Sequence, residues 1–344
     1  MQVVLDLFHK TVIFLYNLTI MKLSEVQKLL KNIESEYKIF APVQDGKEFF
    51  VQKIIDLNKI EYTGRLPLNS WKHLFVPPCE KLFDCQGEFK RPPTVYPKVC
   101  AWNITVQDLK ALGLFDVVFE DDPYYQARRQ NILVCGLAVG EPDRKDYAEH
   151  VKFSQRLEED VLEHLTFDIF FEKTKKGDFE VFAGSEKGRQ LLEENNIKNY
   201  DNVQFAGYIP EEGFNPDMMI KEKLIRESAN HPLWDELDKI CMACGKCSLV
   251  CPTCFCFDAE DQAEEKSVSR KRVWGSCFYP EFTQIAGGSN YTDAPKKKLR
   301  FWYEHKFVRI PAEYKMPGCV ACGRCSKVCP VGIDIVKNFI QLSK

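Results

Sequence analysis

CMACGKCSLVCP at 241–252 and CVACGRCSKVCP at 319–330 decide how this chain is read. Nine of the twelve positions are identical, and Lys246 and Arg324 occupy the same place in the two copies. Each copy is a C-x2-C-x2-C-x3-C-P run, the form that wraps a four-iron cluster. A cube needs four thiolates at its iron corners. One tight loop reaches three corners, and the fourth is out of its reach without strain. In two-cluster ferredoxins the last cysteine of each run crosses to the other cluster. The expected ligand sets are therefore Cys241, Cys244, Cys247 and Cys329 for one [4Fe–4S] cluster, and Cys319, Cys322, Cys325 and Cys251 for the other. Gly245 and Gly323 fall where backbone approaches the cluster or turns with positive φ. Pro252 and Pro330 fix φ just after each crossing cysteine.

Two other uses of cysteine compete with this reading. Zinc also takes C-x-x-C pairs, but it wants two pairs per site rather than three close cysteines followed by C-P. Disulfides need an oxidising compartment, and the fifteen cysteines here are an odd number. The bulk composition is that of an ordinary globular chain: 344 residues, 45% hydrophobic and 28% charged, enough for about two domains. A net charge of −3 gives no general reason to expect nucleic acid. No stretch approaches the roughly 20 apolar residues of a membrane span. Residues 3–20, VVLDLFHKTVIFLYNLTI, are interrupted by Asp6, His9, Lys10 and Asn17 and lack the features of a signal peptide. Met21 opens a more conventional segment, so 1–20 reads as an extension or a misplaced start. The expected location is the cytoplasm, where thiols stay reduced.

The chain before about His231 alternates helix and strand signals. Val26, Leu29, Leu30 and Ile33 share a helical face after a capping-box pattern at Ser24 and Gln27. IFAPV (39–43) and EFFVQKI (48–54) read as strands around a turn, and 66–97 as irregular loop with short strands. A helix is expected at 105–114, a buried strand at 131–139 and a helix at 149–165. FDIFFE (167–172) and FEVFAG (179–184) form a hairpin around a glycine turn. Ser185 caps a helix at 186–195, and Asn215-Pro216 opens another running to about Asn230. After His231 the strand signals stop. The 66 residues between the cysteine runs are too many for a minimal ferredoxin, so a helical module is expected, closing with a helix at GIDIVKNFIQ. The fold class is thus α+β: an N-terminal mixed α/β scaffold and docking domain (21–230), then an α-helical ferredoxin-type domain (231–344) carrying two [4Fe–4S] clusters.

The remaining candidates weigh less. Cys254, Cys256 and Cys277 lie near the first run; buried packing beside the cluster outranks ligation, because free cysteine is commonly buried. Cys79, Cys85, Cys100 and Cys135 are scattered. AGGSN (286–290) matches neither a P-loop nor a dinucleotide fingerprint and reads as a tight turn. No G-x-G-x-x-G occurs, so no FAD or NAD site is expected in this chain. PKKKLRFWYEHKFVR (295–309) reads as a solvated basic face, with partner docking or balancing of cluster charge as the functional alternative. His305 within it is expected to be a surface or hydrogen-bonded residue. Lys246 and Arg324, inside the cluster loops, are expected to raise the reduction potential. No general acid, base or nucleophile constellation is present, so the chain reads as a non-catalytic part of an oxidoreductase.

HPLWDELDKICMACGKCSLVCPTCFCFD (231–258), RKRVWGSCFYPEFTQIAGGSN (270–290), HKF (305–307) and GCVACGRCSKVCPVGIDI (318–335) resemble one family. It is the iron–sulfur beta subunit of soluble NAD(P)-linked nickel–iron hydrogenases, or sulfhydrogenases; the related iron–sulfur subunit of anaerobic sulfite reductase shares the pattern. The similarity is weaker in IFAPV, DPYYQARRQNILV (122–134) and FDIFFEKTKKGDFEVFAGS (167–185). Many family members carry extra cysteines before the helix at 105–114 and after the strand at 131–139. Here those regions read AWNITVQDLKAL and VCGLAVGEPDRKDYAEH, and Cys100 and Cys135 do not rebuild the set. Two clusters are therefore expected. The resemblance implies a flavin subunit exchanging hydride with NAD(P)H, this chain as the relay, and nickel–iron small and large subunits as catalysts. A siroheme sulfite reductase is the alternative terminal enzyme, and a zinc-binding non-redox protein the alternative outside redox chemistry.

Overall fold

A computed structural model of the chain describes residues 20–86, 88–90, 96–139, 161–208 and 216–344. The strands, in chain order, are β1 (Ile20–Met21), β2 (Lys38–Asp45), β3 (Glu48–Lys53), β4 (Cys79–Gln86), β5 (Glu88–Lys90) and β6 (Val99–Ile104). Then come β7 (Ile132–Val139), β8 (Ile169–Lys173), β9 (Phe179–Ala183), β10 (Asp201–Asn202), β11 (Phe257–Glu264) and β12 (Ser267–Trp274). The main sheet runs β1-β9-β8-β7-β6-β2-β3, with β10 beside β9. Its centre, β2-β6-β7-β8, is parallel, and antiparallel β3 and β9 flank it.

The centre is parallel because VCAWNI and ILVCGLAV are apolar on both faces and need cover on both. One face, with Cys100, Trp102, Leu133 and Cys135, packs on α1 (Leu23–Ile33) through Val26, Leu29 and Leu30. The other face, with Ala101, Ile104 and Val134, packs on α3 (Val106–Val118) and α4 (Pro123–Gln130) through Leu109, Phe115 and Tyr125. Asn103 at φ 66° is the exception that shifts the β6–β7 register, as a bulge does. Gly136 is required where it stands, since a Cβ there would meet Phe170 Cδ2 at 2.3 Å.

The strands and helices expected before residue 231 are largely present. Ser185 caps α5 (Glu186–Glu194), accepting from the Gly188 N–H at 3.0 Å. At α1 the reciprocal cap comes from Glu25, whose carboxylate accepts the Lys22 N–H at 2.7 Å, rather than from Ser24 and Gln27. The stretch 66–97 holds α2 (Lys72–Phe75) besides β4 and β5. The helix expected at 149–165 falls mostly outside the described residues; within them, Val161–His164 forms a 3-10 turn. Asn215 and residues 1–19 also lie outside them; Ile20, the last residue of the segment read as an extension or misplaced start, pairs with Glu180 in the main sheet.

The C-terminal part is not purely helical, which corrects the expectation for 231–344. β11 and β12 form a hairpin that extends β4 and β5 into a second, antiparallel sheet. Period-two patterning failed to reveal it because nearly every side chain of FDAEDQAE is at least partly solvated. The second sheet also crosses the boundary expected near 230. Buried Arg272 on β12 pairs with Glu80 on β4 at 2.6 Å and with Asp122 at the start of α4, and Arg128 on α4 joins the same Glu80.

The remaining helices are α6 (Pro216–Glu227), α7 (Leu233–Ile240), α8 (Lys246–Leu249), α9 (Pro295–Glu304), α10 (Ile310–Tyr314), α11 (Arg324–Val328) and α12 (Ile335–Leu342). All but α10 share a core of Trp234, Phe278, Leu299, Trp302, Tyr303 and Phe307, while α10 packs through Ile310 on Leu114 and Met316. Between α9 and α10 the helix widens into a π turn, His305–Arg309. Pro311, which brings no N–H, follows at once and prevents a regular ladder there. Among the described residues, no helix is long and apolar enough to cross a membrane.

Candidate metal centre

The two cysteine runs fold alike. Cys241 caps the C-terminus of α7, and the loop turns through Ala243 (φ 49°) and Gly245 (φ 73°) into α8. The second loop turns through Ala321 (φ 54°) and Gly323 (φ 70°) into α11. The left-handed residues close each loop tightly around its first three cysteines. α8 and α11 lie against each other, so the fourth cysteine of each run, at or just past the helix end, is carried toward the other loop.

The eight thiols line two cavities. Cys251, Cys319, Cys322 and Cys325 line one of about 160 Å³, walled by Trp302, Phe307 and Phe339. Cys241, Cys244, Cys247 and Cys329 line a second of about 40 Å³, walled by Phe278, Leu299 and Tyr303; Cys325 touches this one too. Thus Cys251 stands with the second run and Cys329 with the first. The donor set, all sulfur with apolar walls, suits iron–sulfur chemistry. Backbone N–H groups already point at sulfur: Ala243 to Cys241 Sγ at 3.4 Å and Ile333 to Cys329 Sγ at 3.3 Å.

Burial pushes the Cys241, Cys247, Cys319 and Cys325 thiols up, and Cys322 up to about 11. These groups must give up protons on binding metal, which couples loading to pH. Cys251 goes the other way. A hydrogen bond from Cys254 and the cation of Lys306 hold it well below the thiol range despite burial. Lys306 Nζ lies 3.2 Å from Cys251 Sγ, 2.9 Å from Thr253 Oγ1 and 3.0 Å from the Gly318 carbonyl oxygen. Burial works against its charge, but Cys251, Cys254 and Cys319 together hold it well above the lysine range.

Cys254, Cys256 and Cys277 line neither cavity. Cys277 is buried in the helical core, its thiol pushed up by burial to about 12. Cys254 hydrogen-bonds Cys251, and its carbonyl accepts from the buried Lys72 Nζ at 3.2 Å. Cys100 and Cys135 meet on adjacent strands, Sγ to Sγ 3.9 Å, fully buried in the sheet core. Gly287 and Gly288 of AGGSN, both at positive φ, form an exposed turn.

The charged residues of the loops and of 295–309 differ in their surroundings. Arg324 is 2% exposed and forks onto Asp108 of α3 at 2.6 and 2.7 Å, while its Nε donates to the Pro67 carbonyl oxygen. Lys246 is exposed. The segment 295–309 is only half a solvated face: Lys296 and Lys297 make surface pairs, but Lys298 and Lys306 are buried. Sequence reasoning missed Lys306, although a signal existed. Leu299, Trp302, Tyr303, Lys306 and Phe307 follow helical spacing, which puts this lysine on the apolar stripe. His305 is half-buried, and no hydrogen bond of it is among the described contacts. It stacks on Phe301 at 6.2 Å and meets Phe255 edge-on.

Fold and site together define a mixed α/β protein with a C-terminal 4Fe–4S dicluster domain. Residues 240–333 match the family described as a 4Fe–4S dicluster domain. Beyond that domain, the chain is similar to sulfhydrogenase 2 subunit beta of Pyrococcus furiosus. The two are 23% identical over 318 residues, covering 87% of this chain and 90% of that protein. No solved structure matches the chain.

Proposed function

We propose that this chain is the electron-relay subunit of a hydrogenase complex of the sulfhydrogenase kind. It holds two [4Fe–4S] clusters, one on Cys241, Cys244, Cys247 and Cys329 and one on Cys251, Cys319, Cys322 and Cys325. The observation that carries the reading is that the last cysteine of each run lines a cavity with the first three of the other run, Cys251 in one and Cys329 in the other, with Cys325 shared between the two. Such clusters accept and give up single electrons. The chain's own part is to hold them, wall them with aromatic side chains against water and keep them adjacent. Cys244 is exposed, which brings one site to the surface where a partner would dock.

The unit 21–230 acts as scaffold and docking surface, and the protein works in the cytoplasm. Its partners are a flavin subunit using NAD(P)H and nickel–iron small and large subunits. The second reading, a relay to a siroheme sulfite reductase, uses the same residues. Anaerobic purification from the native source with identification of the co-purifying subunits tests both. Nickel–iron subunits are expected; a siroheme subunit would move the protein to the second reading, and partners without redox groups would end both.

A further inference from the structure

Lys306 is 1% exposed, and among the described residues no carboxylate pairs with it. Its three ammonium protons meet Cys251 Sγ, Thr253 Oγ1 and the Gly318 carbonyl oxygen. Thr253 and Gly318 are neutral acceptors, and the Thr253 hydroxyl is itself committed to the same Gly318 oxygen at 2.8 Å. A buried ammonium without a counter-charge is costly. Of its three acceptors, Cys251 is the one that would carry negative charge as a cluster ligand. Other cations also lie near the loops. Buried Arg324 pairs with Asp108 and reaches Cys322, Lys221 lines the same cavity, Lys72 donates to the Cys254 carbonyl oxygen, and Lys246 faces water, where salt screens it. Lys306 is the lysine with a described hydrogen bond to a thiol of this site.

We propose that Lys306 is the positioning residue that sets the reduction potential at the Cys251, Cys319, Cys322 and Cys325 site, holding that site's negative charge in a dry setting. The assignment rests on the two-cluster reading above. Reduction adds one electron, supplied by the reducing partner, and so one negative charge next to a fixed cation. The cation stabilises the reduced form more than the oxidised one and raises the potential of that site alone.

The test is a potentiometric titration of the anaerobically purified complex followed by paramagnetic resonance, with iron and sulfide measured on each sample. Lys306→Gln and Lys306→Met should each move one of the two midpoints to more negative potential and leave the other in place. Lys306→Arg, which keeps the charge, should restore most of the shift. Loss of iron from both neutral variants with retention in Lys306→Arg would likewise support the charge role. Unmoved midpoints in iron-replete neutral variants would overturn it, as would an Lys306→Arg variant that behaves like Lys306→Met or loses iron with them. A wild-type complex without iron in this chain would instead sink the two-cluster reading itself.

Discussion

Cys329 lies 82 positions beyond Cys247, yet both line the same cavity with Cys241 and Cys244. Changing Cys329 to Ala should therefore damage the cluster of the first run. Paramagnetic resonance of the reduced variant should show that signal lost or altered. A perturbation confined to the site of Cys319, Cys322 and Cys325 would mean that each run keeps its own fourth cysteine. At this scale the tight shape of the two cysteine loops was legible because three-residue spacing in a short loop leaves few geometries. Gly245 and Gly323 were legible as positive-φ positions for the same reason. Ala243 and Ala321 were not. Each adopts a left-handed conformation that ordinarily costs a non-glycine residue about 1–2 kcal/mol, and no local preference of alanine announces it. Lys306 was hidden by composition, since its neighbours made the run look solvated.

The π turn that carries Lys306 also carries His305, packed between Phe301 and Phe255. Burial, helped by the charges of Lys306 and Arg309, pulls the His305 imidazole down to about 4. The folded protein keeps it neutral, whereas the unfolded chain protonates near 6.5. Stability from this residue is therefore whole above pH 6.5 and falls as pH drops toward 4. Between pH 7 and pH 5 the loss is about 2 kcal/mol. Denaturant unfolding of wild type and His305→Gln at both pH values should show the gap between them change by about that amount. An unchanged gap would place the imidazole in water. Other elements divide by the clarity of their patterning. β7 declared itself through an unbroken apolar run, whereas β6, the apolar VCAWNI, was passed over between the loop at 66–97 and the helix after it. α12 was expected at GIDIVKNFIQ, and the structure adds its cap, Asp334, which accepts from the Val336 and Lys337 N–H groups. The β11–β12 hairpin did not, because its order comes from Arg272, Glu80 and Asp122, an ionic contact 150 or more residues apart in sequence.

Across the whole molecule, the two parts expected from the sequence are tied at several points. Arg324 in the second cysteine run reaches Asp108 on the helix that covers the main sheet, and the second sheet takes strands from both sides of residue 230. A boundary read from composition marks where chemistry changes, not where packing stops. The pairing of Asp108 with Arg324 spans 216 residues, and no local pattern encodes it. What the sequence did make plain was the duplication, because iron–sulfur ligation is written in spacing rather than in tertiary contact. The account stands on that duplication holding two inorganic cubes. Iron, zinc and acid-labile sulfide measured on the chain purified without oxygen test this most directly. The expected result is about eight irons with matching sulfide; zinc without sulfide would contradict it.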